Sequence, residues 1–185
     1  MIKSKEDYKR YIKVEEENYR YSYNKFTKEL ESILKFVKLY RKVEYYENCK
    51  KSFVYKPIKK YLNYKFDKKS IKYGFHLPIN TIDEGLCIVH TGPIYINENC
   101  KIGKYFRIHP MTTIGKNIGR NNSSPKIGDG VWVGPGARVF GDITIGDNVV
   151  IGANSVVNKS FSSNITIAGA PARIINEKGY KDYLK

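Results

Sequence analysis

The sequence predicts an N-terminal α-helical segment followed by a parallel β-helix of hexapeptide repeats. Two periodicities carry this reading, and a sharp boundary separates them. Residues 1–75 hold apolar side chains at helical spacing, whereas beyond His76-Leu77-Pro78 aliphatic residues recur every six positions. The chain of 185 residues divides accordingly into a helical segment at 1–75, a β-helix domain at 76–176 and a tail at 177–185.

In the first segment Phe26, Leu30, Ile33, Leu34, Val37 and Tyr40 are spaced by 4, 3, 1, 3 and 3, which is one face of an α-helix. Lys28, Glu29, Glu31, Lys35, Lys38 and Arg41 fill the other faces, and the pattern fades near Asn48. Pro57 suits the first turn of a shorter helix, where its missing N–H costs nothing. Ile58, Tyr61 and Leu62 are predicted to share that helix's packed side, and Gly74 to end it.

In the second segment the series runs Ile96, Ile102, Ile108, Ile114 and then Ile127, Val133, Val139, Ile145, Ile151, Val157. Gly103, Gly115, Gly128, Gly134, Gly146 and Gly152 follow directly. A period of six fits neither a helix nor a lone strand. It fits a triangular prism in which three hexapeptides make one coil, the aliphatic residue points inward, and glycine eases the corner. One coil cannot bury its inner face alone; stacking coils buries a continuous column. Two breaks interrupt the series. The step from Ile114 to Ile127 overshoots two hexads by one position, so the polar stretch 116–125 is predicted to protrude as a loop. Two extra residues also fall between Ile88 and Ile96, around His90-Thr91-Gly92-Pro93, and such irregularities often mark sites.

Composition narrows the classes. The net charge is +15, and residues 1–75 carry 21 Lys/Arg against 10 Asp/Glu, with 12 of the 16 tyrosines. A basic, tyrosine-rich segment suits a solvated helical face, or peripheral contact with a membrane or a polysaccharide; no nucleic-acid-binding signature accompanies it. No apolar run approaches the roughly 20 residues that cross a bilayer. The charged start Met1–Glu6 is not a signal peptide, and Cys49, Cys87 and Cys100 are odd in number and lack CxxC spacing. Reduced thiols and a cytoplasmic location are expected.

The segments GLCIVHTGPIYI at 85–96, PKIGDGVWVGPGARVFGDITIGDNVVIGANSVVNKS at 125–160 and AGAPARII at 168–175 resemble the hexapeptide-repeat acyltransferases. Within that superfamily the chain looks like the serine acetyltransferases, and most like their short relatives found with surface-polysaccharide genes. The resemblance implies that the β-helix is left-handed, that acetyl-CoA is the co-substrate with no metal, and that the protein is a homotrimer with sites between subunits. His90 matches the family's catalytic histidine, a general base for an acceptor hydroxyl. His109 follows about one coil later and is a second catalytic candidate. Family correspondence assigns the CoA arm to Gly134, Pro135, Gly136, Gly152 and Ala153, with Arg173, Lys178 and Lys181 near the nucleotide phosphates.

The sequence departs from the serine enzymes in two places. Phe75 stands where the family has an aspartate ahead of the catalytic histidine, and Ser124 stands where it has a second histidine. Asp83 or Glu84 are candidates to orient His90 instead. These departures favour a sugar or surface-polysaccharide precursor as acceptor. Serine O-acetylation, N-acetylation of an amino sugar and a non-catalytic scaffold are the alternatives. A zinc site of the kind some β-helix enzymes use is disfavoured, because no two of His76, His90 and His109 lie at short spacing.

Overall fold

The structure, a computed structural model, describes residues 1–22, 27–117 and 123–184. Three helices open the chain: α1 (Lys5–Ser22), α2 (Lys28–Cys49) and α3 (Lys56–Tyr73). Thr27 caps α2 by accepting a hydrogen bond from the Leu30 N–H at 3.2 Å. Gly74 ends α3 at φ 75°, and a Cβ there would press on the Gly92–Pro93 backbone at 3.1–3.3 Å, so both its conformation and its space call for glycine. Leu30, Ile33, Val37 and Tyr40 are buried as the spacing predicts and Leu34 is partly buried, while Phe26 lies outside the described residues; Phe36, which that spacing omits, is also buried. The predicted face of α3 is corrected. Only Leu62 of the three is buried, Ile58 and Tyr61 being 44% and 59% exposed. The helix packs on α2 through Leu62, Phe66 and Tyr73 instead, and the ring of Phe36 on α2 stacks on Phe66 at 5.4 Å.

Short strands follow: β1 (Phe75–His76), β2 (Cys87–Ile88), β3 (Ile94–Ile96), β4 (Lys101–Ile102), β5 (Arg107–Ile108), β6 (Thr112–Gly115) and β7 (Lys126–Ile127). Then come β8 (Trp132–Val133), β9 (Arg138–Phe140), β10 (Thr144–Ile145), β11 (Val150–Ile151), β12 (Val156–Val157), β13 (Thr166–Ala168) and β14 (Arg173–Asn176). They form three sheets. The first face is β1-β3-β6-β9-β12, the second β4-β7-β10, and the third β2-β5-β8-β11-β13-β14. Among the described residues all pairings of these strands are parallel except β13 with β14. The chain visits the three faces in turn, so each coil is a triangle. The ten hexad residues from Ile96 to Val157 are all buried and pair with one another up the stack.

Register explains both breaks. Val133 pairs with Ile151, three hexads on, but Ile108 pairs with Val133, four hexads and one position on. The step from Ile114 to Ile127 is therefore one side of the triangle, not two, and the insertion amounts to a whole hexapeptide and one more residue. Its centre, 118–122, lies outside the described residues. Ile88 pairs with Ile108, three hexads and two positions on, which assigns the two extra residues to the corner holding His90.

The helices cap the open first coil, whose edge strand β2 would otherwise expose unpaired backbone. The buried Tyr19 hydroxyl accepts from the Ile88 N–H at 2.9 Å and donates to the Ile88 carbonyl at 3.0 Å. Asn18 Nδ2 donates to the Gly85 carbonyl at 2.7 Å. Arg41, fully buried, donates to the Ile82 and Asp83 carbonyls at 2.8 and 2.6 Å and pairs with Glu15 at 2.8 Å and Glu44 at 3.0 Å. Burial pushes the Glu15 carboxyl up to about 7, with Arg41 opposing. Replacing Tyr19 by Phe keeps the ring and orphans the Ile88 N–H, and is expected to lower stability by about 1–3 kcal/mol in urea unfolding. An unchanged midpoint would show that water replaces the hydroxyl.

Candidate active site

One corner of the coil, between the third and first faces, gathers most of the candidate residues. It is built from stacked turns. The Met111 N–H donates to the Pro93 carbonyl at 2.6 Å, the Gly136 N–H to Pro110 at 3.0 Å, and the Asn154 N–H to Pro135 at 2.9 Å. Residues 90–93, 109–111, 134–136 and 152–154 thus lie one above another. His90, His109, Gly134-Pro135-Gly136 and Gly152-Ala153 share this edge.

The glycines let the coils pack closely at this edge. A Cβ on Gly134 would come within 2.8 Å of the Ala153 nitrogen, and one on Gly136, at φ 74°, would run into Asn154 Oδ1. Close coil stacking requires them: Gly134 is buried, its N–H donating to the Ile151 carbonyl at 2.8 Å, while the turn positions Pro135 and Ala153 are exposed. Pro135 contributes its carbonyl only.

His109 is half-buried. Its Nδ1 donates to the Val133 carbonyl at 2.9 Å, and its ring lies 4.5 Å from that of Trp132. This tautomer leaves Nε2 as an acceptor. Burial pushes His109 below the usual histidine range, with the hydrogen bond to Val133 opposing and the Arg107 charge acting in the same direction as burial, which favours the neutral ring.

His90 is exposed, its side chain 60% accessible. Its Nδ1 faces Glu29 Oε2 at 3.4 Å, although the two are remote in sequence. The other oxygen, Glu29 Oε1, accepts from both the N–H and the hydroxyl of Thr91 at 2.9 Å. The Thr91 N–H is the main reason Glu29 lies below the usual carboxylate range, with the histidine a smaller contribution. Sequence reasoning missed Glu29, since an acid in a first helical turn reads as a partner for the helix dipole.

Asp83 and Glu84, the expected orienting carboxylates, are engaged elsewhere. Asp83 accepts from the Tyr11 hydroxyl and from the Glu84 N–H, and Glu84 pairs with Arg10 at 2.8 Å and Lys104 at 3.0 Å. They belong to the docking of α1 on the first coil, and the carboxylate beside His90 is Glu29. Arg173 is exposed and pairs with Ala168, which lies against Gly152. Lys178 is carried away from it: its carbonyl accepts from Thr166 Oγ1, and the Lys181 N–H binds Asn148 Oδ1 at the opposite edge of the third face. Antiparallel β14 has by then reversed the chain. His76 stacks flat on Tyr95 at 4.6 Å, Phe75 is in the core, and Ser124 is buried and donates to Asn97 Oδ1 at 2.9 Å. None of the three cysteines forms a disulfide. Among the described residues no group of three metal-ligating side chains converges, and no helix is long and apolar enough to cross a membrane.

A cleft of about 760 Å³ lies at that opposite edge, between α1 and the tail, lined by Glu17, Tyr21, Arg107, Asp147, Tyr180 and Lys181. It contains none of the histidines. A shallower one of about 290 Å³ adjoins the histidine corner, with His76, Pro93, Tyr95, Met111 and Arg138 in its walls. Chemistry outweighs size here: the edge with two imidazoles and the glycine-rich turns is the candidate site.

The chain has relatives among known proteins. Residues 124–159 match the family of bacterial transferase hexapeptide proteins (six repeats). The chain is 41% identical over 99 residues to a serine acetyltransferase of Staphylococcus xylosus, covering 53% of this chain and 46% of that protein. It thus spans about half the length of the curated relatives it matches. Among solved structures it resembles serine acetyltransferase from Brucella abortus strain S19, with TM-score 0.73 and 25% identity over 95% of this chain and 71% of that one. The coenzyme A complex from the same strain aligns with TM-score 0.67 and 26% identity over 95% and 70%. The expected closeness to surface-polysaccharide relatives is not supported; the named relatives are serine acetyltransferases.

Proposed function

We propose that the chain is an acetyltransferase that moves the acetyl group of acetyl-CoA to a hydroxyl, with L-serine the acceptor its relatives favour. The reading is supported above all by the shared edge of His90, His109 and the two glycine-rich turns. In this reading the β-helix is left-handed and three copies pack side by side, each edge facing a neighbour's. That accounts for a histidine corner which is open and shallow in one chain.

The chemistry needs a base and a leaving group. His90 Nε2 takes the proton of the acceptor hydroxyl as its oxygen attacks the thioester carbonyl. Donors at the edge offset the oxyanion charge. The C–S bond then breaks, CoA leaves as the thiolate, and the imidazolium returns the proton to sulfur. The exposed turn positions Pro135 and Ala153, which carry no long side chain, suit contact with the CoA arm, and Arg173 the phosphates. With its lowered pKa, His109 serves as a second neutral acceptor facing the acceptor hydroxyl.

A second reading, transfer to a sugar hydroxyl, is favoured by Phe75 and Ser124. Both side chains are buried, and neither offers a charge to an amino-acid acceptor. The test is thiol release from acetyl-CoA with L-serine against a panel of sugars and amino sugars. Turnover with serine alone supports the first reading, and turnover with a saccharide alone the second. Absence of both turnover and acetyl-CoA binding would overturn the enzyme reading.

A further inference from the structure

We propose that Glu29, in the first turn of α2, is the positioning residue that orients His90 for proton abstraction. The inference rests on the acetyltransferase reading for its consequence, but not for its geometry. The corner that carries His90 is longer than a regular turn, so nothing in the coil's own repeat dictates where that ring points. Glu29 supplies what the repeat lacks. Its Oε1 takes both the N–H and the hydroxyl of Thr91, each at 2.9 Å, which ties the irregular turn to the helical segment. Its Oε2 then faces His90 Nδ1 at 3.4 Å. A ring nitrogen that faces a carboxylate carries the proton, so the lone pair is left on Nε2. Asp83 and Glu84 have other partners, and the position at which the serine enzymes carry an aspartate is the buried ring of Phe75. The orienting carboxylate therefore comes from a different element of the chain. Glu29 and His90 are 39% and 60% accessible, so the pair adds little to stability, and its effect is on the tautomer and direction of the ring.

Glu29→Gln tests this with the fold intact. Thr91 has two donors and no need of the charge, so it keeps the amide oxygen. The amide NH₂ is then turned towards His90 Nδ1, where it donates and draws the imidazole into the Nε2–H form, which cannot take a proton at Nε2. The ¹⁵N shifts of the His90 ring in the full chain read this directly: Nδ1–H in the wild type, a shift towards Nε2–H in Glu29→Gln, and a mixture in Glu29→Ala. In acetyl transfer, kcat is expected to fall about 10- to 100-fold with the KM for acetyl-CoA unchanged. That is less than the roughly 10⁴-fold that a wrong tautomer costs a buried catalytic triad, because water competes here. Ring shifts identical in all three proteins would overturn the contact. A switched tautomer with kcat within about twofold of wild type would overturn the positioning role. If the wild type turns over no acceptor, the acetyltransferase reading fails and the positioning role with it, while the ring shifts still decide whether Glu29 holds His90.

Discussion

Replacing His90 by alanine is expected to lower acetyl transfer by about 10²- to 10⁴-fold, the range a positioned general base contributes. The side chain is 60% exposed, so the substitution should leave stability within about 0.5 kcal/mol of wild type. CoA binding should also be unchanged, because the glycine turns at 134–136 and 152–154 lie further along the stack. The measurement is steady-state thiol release beside a thermal melt and a CoA titration. His109→Ala is the informative partner. His109 is neutral, has its Nδ1 tied to the Val133 carbonyl, and rests against Trp132. If transfer survives loss of His90 and disappears with His109, the base is the half-buried histidine and the exposed one binds the acceptor.

Replacing Arg41 by methionine is expected to cost about 3–5 kcal/mol of folding stability, the usual penalty for removing one member of a buried ion cluster. Glu15 and Glu44 are both fully buried against the guanidinium, and Glu15 Oε2 already lacks a hydrogen-bond partner. Without Arg41 two carboxyls share an apolar site, and the Ile82 and Asp83 carbonyls lose their donors. The loss falls on the docking of α1 and α2 over the first coil, the region that holds Glu29 against His90. Urea unfolding followed by circular dichroism checks the magnitude. The triple change Arg41→Met, Glu15→Leu, Glu44→Leu should recover most of it, since the charges then leave together. A single variant as stable as wild type would mean that water enters the cluster.

Much of the fold is legible in the sequence because its signals are local. The hexad from Ile96 to Val157 reports burial directly: a residue every six positions must face one interior, and all ten do. The end of α3 follows from Gly74 for the same reason, as it acts within a few residues of itself. The packed side of α3 is not legible, because Ile58, Tyr61 and Leu62 satisfy a helical period as well as Leu62, Phe66 and Tyr73 do. Only the position of α2 chooses between them. The step from Ile114 to Ile127 is ambiguous in the same way, because spacing alone cannot count the sides of a coil; register does.

The repeating unit, its interior column, the helical segment before it and the histidine at its irregular corner are all written in the order of residues. Which turns stack on that corner is not, nor is the fact that Arg173 stays beside it while Lys178 leaves, nor that Glu29 is the carboxylate at His90. Those follow from packing in three dimensions, and the difference lies in separation along the chain. Periodicity records which side of an element is buried. Glu29, in α2, meets His90 in the β-helix only because Tyr19 and Arg41 fasten the helices to the first coil.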